Sequence, residues 1–287
     1  MFSCNNQKSI KYPPEIHIVP YPKELVKNSK NEALELKNTI SVFIKGQDSI
    51  KFYDLLINDL KTVFSQNLNF KRSDNIDSDI SFNIENSLSN EEYKIEIDKN
   101  VFVSGGSYNA ISMAKSSLIQ MFKLKGNKTL ILPKSKIYDK PDSSYRGLMI
   151  DLSRMWHSLK SIRNVIDLAS FYKIKYLQLH LSDDQAFVFP TDSFPNLPTP
   201  DRPYSKKDFI ELVDYAKVRG VTIVPEIDVP GHSRQFIEKY PEIFDVENGV
   251  KKSNVINIAN EKVYSALDQI IGEVAEVFYN SPYIHMG

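Results

Sequence analysis

Three times between Tyr145 and His232 an apolar run ends in charged or polar residues, with a helical pattern between one run and the next. The first run is Gly147-Leu148-Met149-Ile150, ending in Asp151-Leu152-Ser153-Arg154. The second reaches His180-Leu181-Ser182-Asp183-Asp184-Gln185. The third is Val221 to Ile227, continued by Asp228-Val229-Pro230-Gly231-His232. Strand, helix and strand in strict alternation call for a parallel sheet with covering helices. Polar residues at the C-terminal end of each strand are how a (β/α) barrel builds a site.

The elements follow from the spacing. Gly147 to Leu152 reads as strand one and Ser158 to Tyr172 as helix one, with Ile162, Val165, Ile166, Ala169 and Phe171 apolar. Tyr176 to Leu181 is strand two. A long loop, Asp184 to Tyr204, carries Pro190, Pro195, Pro198, Pro200 and Pro203. Ser205 caps helix two, with Asp208 at N3 of a capping box, and Gly220 ends it. Val221 to Ile227 is strand three, Asn260 to Tyr279 helix three, and Tyr283 opens strand four. A whole eightfold barrel needs about 250 residues, and this stretch supplies about half. The fold class expected is therefore an α+β N-terminal domain followed by α/β, the first half of a (β/α)8 TIM barrel truncated at strand four. The chain is read as a fragment.

The domains expected are a disordered N-terminus over 1–13, an α+β accessory domain over 14–140 and a partial (β/α)8 catalytic domain over 144–287. Upstream of the polar linker 139–144, strands and helices mix without alternation. Strands are expected at Ile16 to Pro22, Leu36 to Ile44, Ile80 to Ile84, Tyr93 to Ile97 and Val101 to Val103. Helices are expected at Phe52 to Phe64 and Ser107 to Lys123, with a turn at Gly105-Gly106. Nothing in this part looks chemical. The single cysteine, Cys4, excludes an internal disulfide. With the polar run Asn5-Asn6-Gln7-Lys8-Ser9 behind it, it resembles the tail of a bacterial lipoprotein signal, whose apolar part is not in the chain. The other reading is a free thiol in a disordered terminus. A lipid anchor at Cys4 and a periplasmic or outer-membrane location are the matching expectations. Lys plus Arg and Asp plus Glu number 36 each. That balance gives no field to recruit nucleic acid, and no run is long enough to span a membrane.

Glu226 and Asp228 are two apart, so both leave the same face of strand three, where the strand meets its loop. Pro230-Gly231 turns the chain, and His232 is expected to fold back onto Asp228, which would hold one imidazole tautomer. The plainer explanation is a helix N-cap at Asp228 with a capping His. On strand two, alternation puts His180, Ser182 and Asp184 on one face and Asp183 on the other. One of the adjacent acids is expected to cap the next helix and the other to be free for a ligand hydroxyl. Arg154 offers fixed donors for vicinal hydroxyls or a carboxylate; its plainer explanation is a surface ion pair with Asp151. No metal and no cofactor are expected, since five His and one Cys without close His–His spacing make a poor zinc set. The residues alone point to a barrel hydrolase with a carboxylate-rich pocket. Two carboxylates are the usual equipment of glycoside hydrolysis.

The three blocks taken together resemble glycoside hydrolase family 20, the β-N-acetylhexosaminidases. Pro20-Tyr21-Pro22 and the region after it resemble the family's accessory domain. The resemblance implies a (β/α)8 barrel acting on terminal, non-reducing β-linked N-acetylglucosamine or N-acetylgalactosamine of an oligosaccharide or glycoconjugate. It implies substrate-assisted retaining catalysis, in which the acetamido oxygen attacks the anomeric carbon; the family is a known exception to the two-carboxylate scheme. It also implies that Arg154 binds sugar hydroxyls, with His180 and Glu226 alongside as substrate-binding residues. Asp183, His232 and Asp228 are the catalytic candidates, with Asp228 orienting His232. The family's catalytic Asp-Glu pair follows a strand-four motif whose start His285-Met286-Gly287 matches, so that pair is not in this sequence. Ala186-Phe187 stands where many members have Gly-Trp. Three functions stay open: a β-N-acetylhexosaminidase represented by its N-terminal portion, another barrel glycosidase using Glu226 as acid, or a non-catalytic sugar-binding fragment.

Overall fold

The computed structural model describes residues 15–30, 32–46, 49–246 and 253–287. The expectations for 1–13 and for Cys4 fall outside them. The chain divides into two compact units. The first runs to Ser144 and includes Phe171–Lys173; the second holds the rest from Tyr145 onward.

The first unit contains β1 (Glu24–Lys27), β2 (Ala33–Leu36), β3 (Thr39–Ile44), α1 (Ser49–Val63), β4 (Asn69–Arg72), β5 (Ile80–Ile84), β6 (Tyr93–Ile97), β7 (Val101–Gly105), α2 (Tyr108–Met121), β8 (Lys123–Lys125), β9 (Thr129–Pro133) and β10 (Ser135–Asp139). Seven strands form one mixed sheet in the order β1-β10-β6-β7-β5-β3-β4. Its β1, β10, β6 and β7 are antiparallel neighbours, and β7, β5, β3 and β4 parallel ones. In β6, Tyr93, Ile95 and Ile97 are buried while Lys94 and Glu96 face solvent, which is the period-2 pattern of a half-buried strand. Phe52, Leu56 and Leu60 of α1 and Ile111, Leu118 and Ile119 of α2 complete the core.

Three expectations for this unit need correction. Ile16 to Pro22 is not a strand; Pro20 and Pro22 lack the N–H a ladder needs, and the first strand starts at Glu24. Leu36 to Ile44 is two strands, parted by Asn38 in the left-handed region at φ 60°. The strands β4, β8, β9 and β10 were not expected. In β10 the buried positions are Ser135, Ile137 and Asp139, so polar residues on the inner face hide the alternation.

The second unit contains β11 (Gly147–Asp151), α3 (Leu159–Phe171), β12 (Tyr176–His180), α4 (Lys206–Val218), β13 (Thr222–Glu226), α5 (Arg234–Lys239), α6 (Pro241–Phe244) and α7 (Glu261–Val277). The strands pair in parallel in the order β11-β12-β13. A fourth segment starts beside β13: His285 N–H donates to Pro225 O at 2.9 Å, and Ile227 N–H donates to His285 O at 3.0 Å. Leu177, Leu179 and Ile223 join Ile166, Leu212 and Ile270 of the helices in one buried cluster. The short helices α5 and α6 were not expected, being shorter than any periodic pattern can reveal.

The proline-rich loop before α4 is ordered by packing rather than by repeating hydrogen bonds. Phe187, Phe189 and Leu197 are fully buried, and the Phe187 ring meets Phe236 edge-on at 5.2 Å. Glu273 of α7 ties the loop down. It accepts from the Thr191 hydroxyl (2.9 Å), the N–H of Asp192 (2.7 Å) and of Ser193 (2.8 Å), and Lys206 Nζ (2.8 Å). Burial pushes its carboxyl up, but these donors outweigh it and hold it at about 2.

The start of α4 is the expected capping box. Asp208 N–H donates to Ser205 Oγ at 3.1 Å, and Ser205 N–H donates to Asp208 Oδ2 at 2.8 Å. Gly220 closes the helix at φ 72°, where a side chain would be strained. Ser205→Ala is expected to cost about 1 kcal/mol in urea unfolding; a stability unchanged within error would show that the cap contributes nothing.

Candidate active site

Strand register assembles the site. Asp151, His180 and Glu226 are paired neighbours across β11, β12 and β13, each the last residue of its strand. Neighbours in register point to one face, so three polar side chains share one end of the sheet. From there a hydrogen-bonded chain runs through seven residues. Glu226 Oε2 accepts from Gln178 Nε2 at 2.8 Å and lies 3.0 Å from His180 Nδ1. His180 Nε2 lies 2.9 Å from Asp183 Oδ2, which also binds Arg154 Nη2. Arg154 Nη1 donates to Asp151 Oδ2 at 2.6 Å. Asp183 Oδ1 faces His232 Nδ1 at 3.3 Å. The Asp228 carboxylate is beside both ends of this chain, within 4.8 Å of one polar atom each of His180, Glu226, Asp183 and His232. Arg154, His180, Asp183, Glu226, Asp228 and His232 therefore converge at the C-terminal end of the parallel strands.

The local geometry departs from the sequence reading in three places. Strand alternation ends at His180, and Ser182 makes an antiparallel bridge to Phe187. Asp183 N–H donates to Ala186 O at 2.9 Å. That tight turn carries Asp183 round to His180, not to the opposite face. His232, held at φ 50°, has Asp183 and not Asp228 as its hydrogen-bond partner. Asp228 is not the N-cap of the next helix either. Its N–H donates to Ser182 Oγ at 2.8 Å, and the cap position of α5 belongs to Ser233. Asp184 accepts from Arg234 N–H and from Asn254 Nδ2, each at 3.2 Å. It thus serves the start of α5, while α4 has its own cap in Ser205.

Arg154 does form the ion pair with Asp151, but Asp183 makes it a bridge between two strand ends. Two contributors went unnoticed in the sequence. Gln178 lies two residues before His180 and so on its face; period-2 counting finds it. His285 Nδ1 lies 3.3 Å from Glu226 Oε1, a contact set by pairing distant in sequence. At Gly287, with φ 98°, a Cβ would run into the Asp228 carboxylate.

The charges are arranged unequally. Burial pushes the His180 imidazole down, but its bonds to Glu226 and Asp183 dominate and raise it to about 9. At neutral pH both ring nitrogens therefore donate. Burial pushes Glu226 up, yet His180 and Gln178 bring it below the ordinary carboxylate value. A proton donor is favoured by the reverse shift; the contacts Glu226 makes are those of a carboxylate that holds His180. The Asp151 carboxyl is likewise lowered, burial being outweighed by the Arg154 N–H and guanidinium. Asp228 is raised, chiefly by burial, with Glu226 and Asp183 adding to it and His232 and His180 opposing.

Two triads, His180-Glu226-Asp228 and Asp183-Asp228-His232, have the spacing of metal ligands. A ligating histidine must offer a bare nitrogen, and the doubly engaged His180 offers none. Asp183 is shared among Arg154, His180 and His232. The donor set suits recognition of hydroxyl and carbonyl groups better than a cation.

Residues 144–287 match the model described as glycosyl hydrolase family 20, catalytic domain, and residues 15–140 match that family's domain 2. The chain belongs to glycosyl hydrolase family 20. Within the family, it is 29% identical over 240 residues to a beta-hexosaminidase of Vibrio furnissii, covering 73% of this chain and 39% of the relative. It is 32% identical over 214 residues to beta-hexosaminidase subunit beta of Entamoeba histolytica, covering 69% of this chain and 38% of the relative. The solved beta-N-acetylhexosaminidase of Bacteroides fragilis superposes with a TM-score of 0.82 at 26% identity, over 94% of this chain and 56% of that one. The chain thus spans about two fifths of these curated relatives' length. Its architecture is an N-terminal domain of mixed sheet and helices followed by a partial TIM-barrel region. The described residues contain no helix long and apolar enough to cross a membrane.

Proposed function

We propose that this chain carries the N-terminal part of a β-N-acetylhexosaminidase. The whole enzyme would hydrolyse terminal, non-reducing β-linked N-acetylglucosamine or N-acetylgalactosamine by substrate-assisted, retaining catalysis. One observation carries this reading: the Arg154–Asp183–His180–Glu226 hydrogen-bonded chain stands at the strand ends of a family 20 catalytic domain. Arg154, about half exposed and fixed by two carboxylates, presents donors to vicinal hydroxyls of the terminal sugar. Asp183 and His232 line the pocket, Asp228 adjoins them, and His180 with Glu226 fixes Asp183 in place.

The general acid and the residue that polarises the acetamido group belong, in this reading, to the part of the barrel after Gly287. The acetamido oxygen attacks the anomeric carbon while the acid protonates the leaving oxygen; water then opens the oxazolinium ring. General acid catalysis contributes roughly 10²- to 10⁴-fold. Hydrolysis of an aryl N-acetyl-β-glucosaminide is therefore expected only from a chain lengthened to the span of its relatives, and not from these 287 residues. Comparable turnover by both would show that the acid lies within residues 1–287 and would overturn this division of labour. The lowered Glu226 carboxyl speaks against the alternative in which that residue is the acid.

A further inference from the structure

The side chain of His232 is half exposed, and its ring meets Asp183 Oδ1 at 3.3 Å. That is just outside the usual N–H···O range of about 2.7–3.2 Å, so a small shift of either group ends the contact. His232 also sits in the left-handed region at φ 50°. A residue other than glycine stays there only where its surroundings fix the backbone.

The backbone is fixed on both sides of His232. Ser233 is fully buried. Its Oγ donates to Gly231 O at 2.7 Å, and its N–H donates to Asn254 O at 2.9 Å. Arg234 N–H donates to Asp184 Oδ1 at 3.2 Å. Asp184 Oδ2 accepts from Asn254 Nδ2 at 3.2 Å, and Asp184 O accepts from Gln235 Nε2 at 3.0 Å. Asp184 therefore holds the segment that carries His232 directly through Arg234 and Gln235, and at one remove through Asn254. It also reaches the other member of the pair. Its own N–H donates to Asp183 Oδ1 at 2.6 Å, the same oxygen that His232 faces. One residue anchors both groups.

We infer that Asp184, with Asn254 as its partner, is a positioning residue that sets the distance between His232 and Asp183. This rests on the function proposed above, in which those two side chains line the pocket. Asp184 acts through His232 and needs no contact with the sugar, since its carboxylate oxygens are engaged by Arg234 N–H and Asn254. Arg154 is held by Asp151 and Asp183, so loss of the Asp184 carboxylate leaves the holder of the terminal sugar in place. The effect falls on the transition state, where a misplacement of about 1 Å costs up to about 100-fold.

The test is hydrolysis of an aryl N-acetyl-β-glucosaminide by the lengthened chain. In Asp184→Ala, kcat is expected to fall roughly 10- to 100-fold, with KM nearly unchanged. Added to His232→Ala, the same substitution should cost nothing further, because residues that act through one another are not additive. Asn254→Asp alone sets two carboxylates face to face, which is repulsive, and should lower kcat as well. Combined with Asp184→Asn, it again pairs one amide with one carboxylate and should recover most of the activity. That exchange keeps the test decisive if Asp184→Ala does not fold. An unchanged kcat in Asp184→Ala, or a loss of the same factor with and without His232, would overturn the inference while leaving the proposed function standing. Failure of the exchange to restore what Asn254→Asp removes would overturn it too. No hydrolysis by the lengthened wild-type chain would overturn both readings.

Discussion

Asp183→Ala is expected to lower the stability of the chain by about 3–5 kcal/mol, the usual result of removing one member of a buried ionic cluster. Asp183 is 2% exposed and has four partners: His180, Arg154, His232 and the N–H of Asp184. The partners suffer unequally. Arg154 keeps Asp151 and reaches solvent, so its charge is not stranded. His180 is 4% exposed and keeps Glu226 alone. The loss therefore comes mainly from a buried imidazolium with one donor unsatisfied. Asp183→Asn retains shape and one acceptor, and should fall between the wild-type chain and Asp183→Ala. Urea unfolding with an unchanged slope measures this. A change within about 0.5 kcal/mol for Asp183→Ala, the range of ordinary surface substitutions, would mean that the cluster is not held as described.

Stability should also fall on the alkaline side. The His180 imidazole rises from an ordinary 6.5 to about 9 in the folded chain. The folded state thus keeps a proton that the unfolded chain gives up. That contribution is complete below about pH 6.5 and is lost as pH rises through about 9. At about 1.4 kcal/mol per pH unit, the gap is worth about 3 kcal/mol. The facing groups are Asp183, Glu226 and Asp151 on the acidic side, with Asp228 close by. The lowered Glu226 and Asp151 carboxyls act at the other limit: their contribution is present above the usual carboxylate range and is lost as pH falls below it. In His180→Gln the alkaline decline should disappear while the acid limb remains. A wild-type unfolding midpoint that is flat between about pH 6.5 and about pH 9.5 would contradict a charged His180.

Much of the fold was legible where local chemistry and tertiary need agree. Ile80 to Ile84 and Tyr93 to Ile97 are strands at the residues their alternation marks. Ser205 and Asp208 announce α4 because a capping box is purely local. The parallel units after Tyr145 were visible because each apolar run is followed by a periodic helix. Legibility failed where tertiary context decides. Ser135 and Asp139 are buried polar residues in β10, so the strand does not read as amphipathic. Ile16 to Pro22 has a strand's composition but too few donors to pair.

The candidate site shows the same division. Residue types at strand ends identified Arg154, Glu226, Asp228 and His232, and the family resemblance added Asp183; register aligns Asp151, His180 and Glu226, and the turns after the strands bring in the others. Which carboxylate His232 faces was not readable. That depends on the bridge between Ser182 and Phe187 and on the left-handed backbone of His232, neither of which has a local signature. His285 reaches Glu226 only because its segment lies along β13. No spacing rule connects residues so far apart.

The central claim is that these residues form the sugar-binding half of a hexosaminidase site. It is tested most directly by kcat/KM for an aryl N-acetyl-β-glucosaminide, measured in the lengthened chain with and without Arg154→Ala. Arg154 is about half exposed, so its removal leaves the fold standing. What is lost is a pair of charge-assisted hydrogen bonds to sugar hydroxyls. At about 1.5–3 kcal/mol for bonds to a charged group, kcat/KM should drop roughly 10- to 100-fold. An unchanged kcat/KM would contradict the placement of the terminal sugar at Arg154, and with it the assignment of the strand-end cluster as the site.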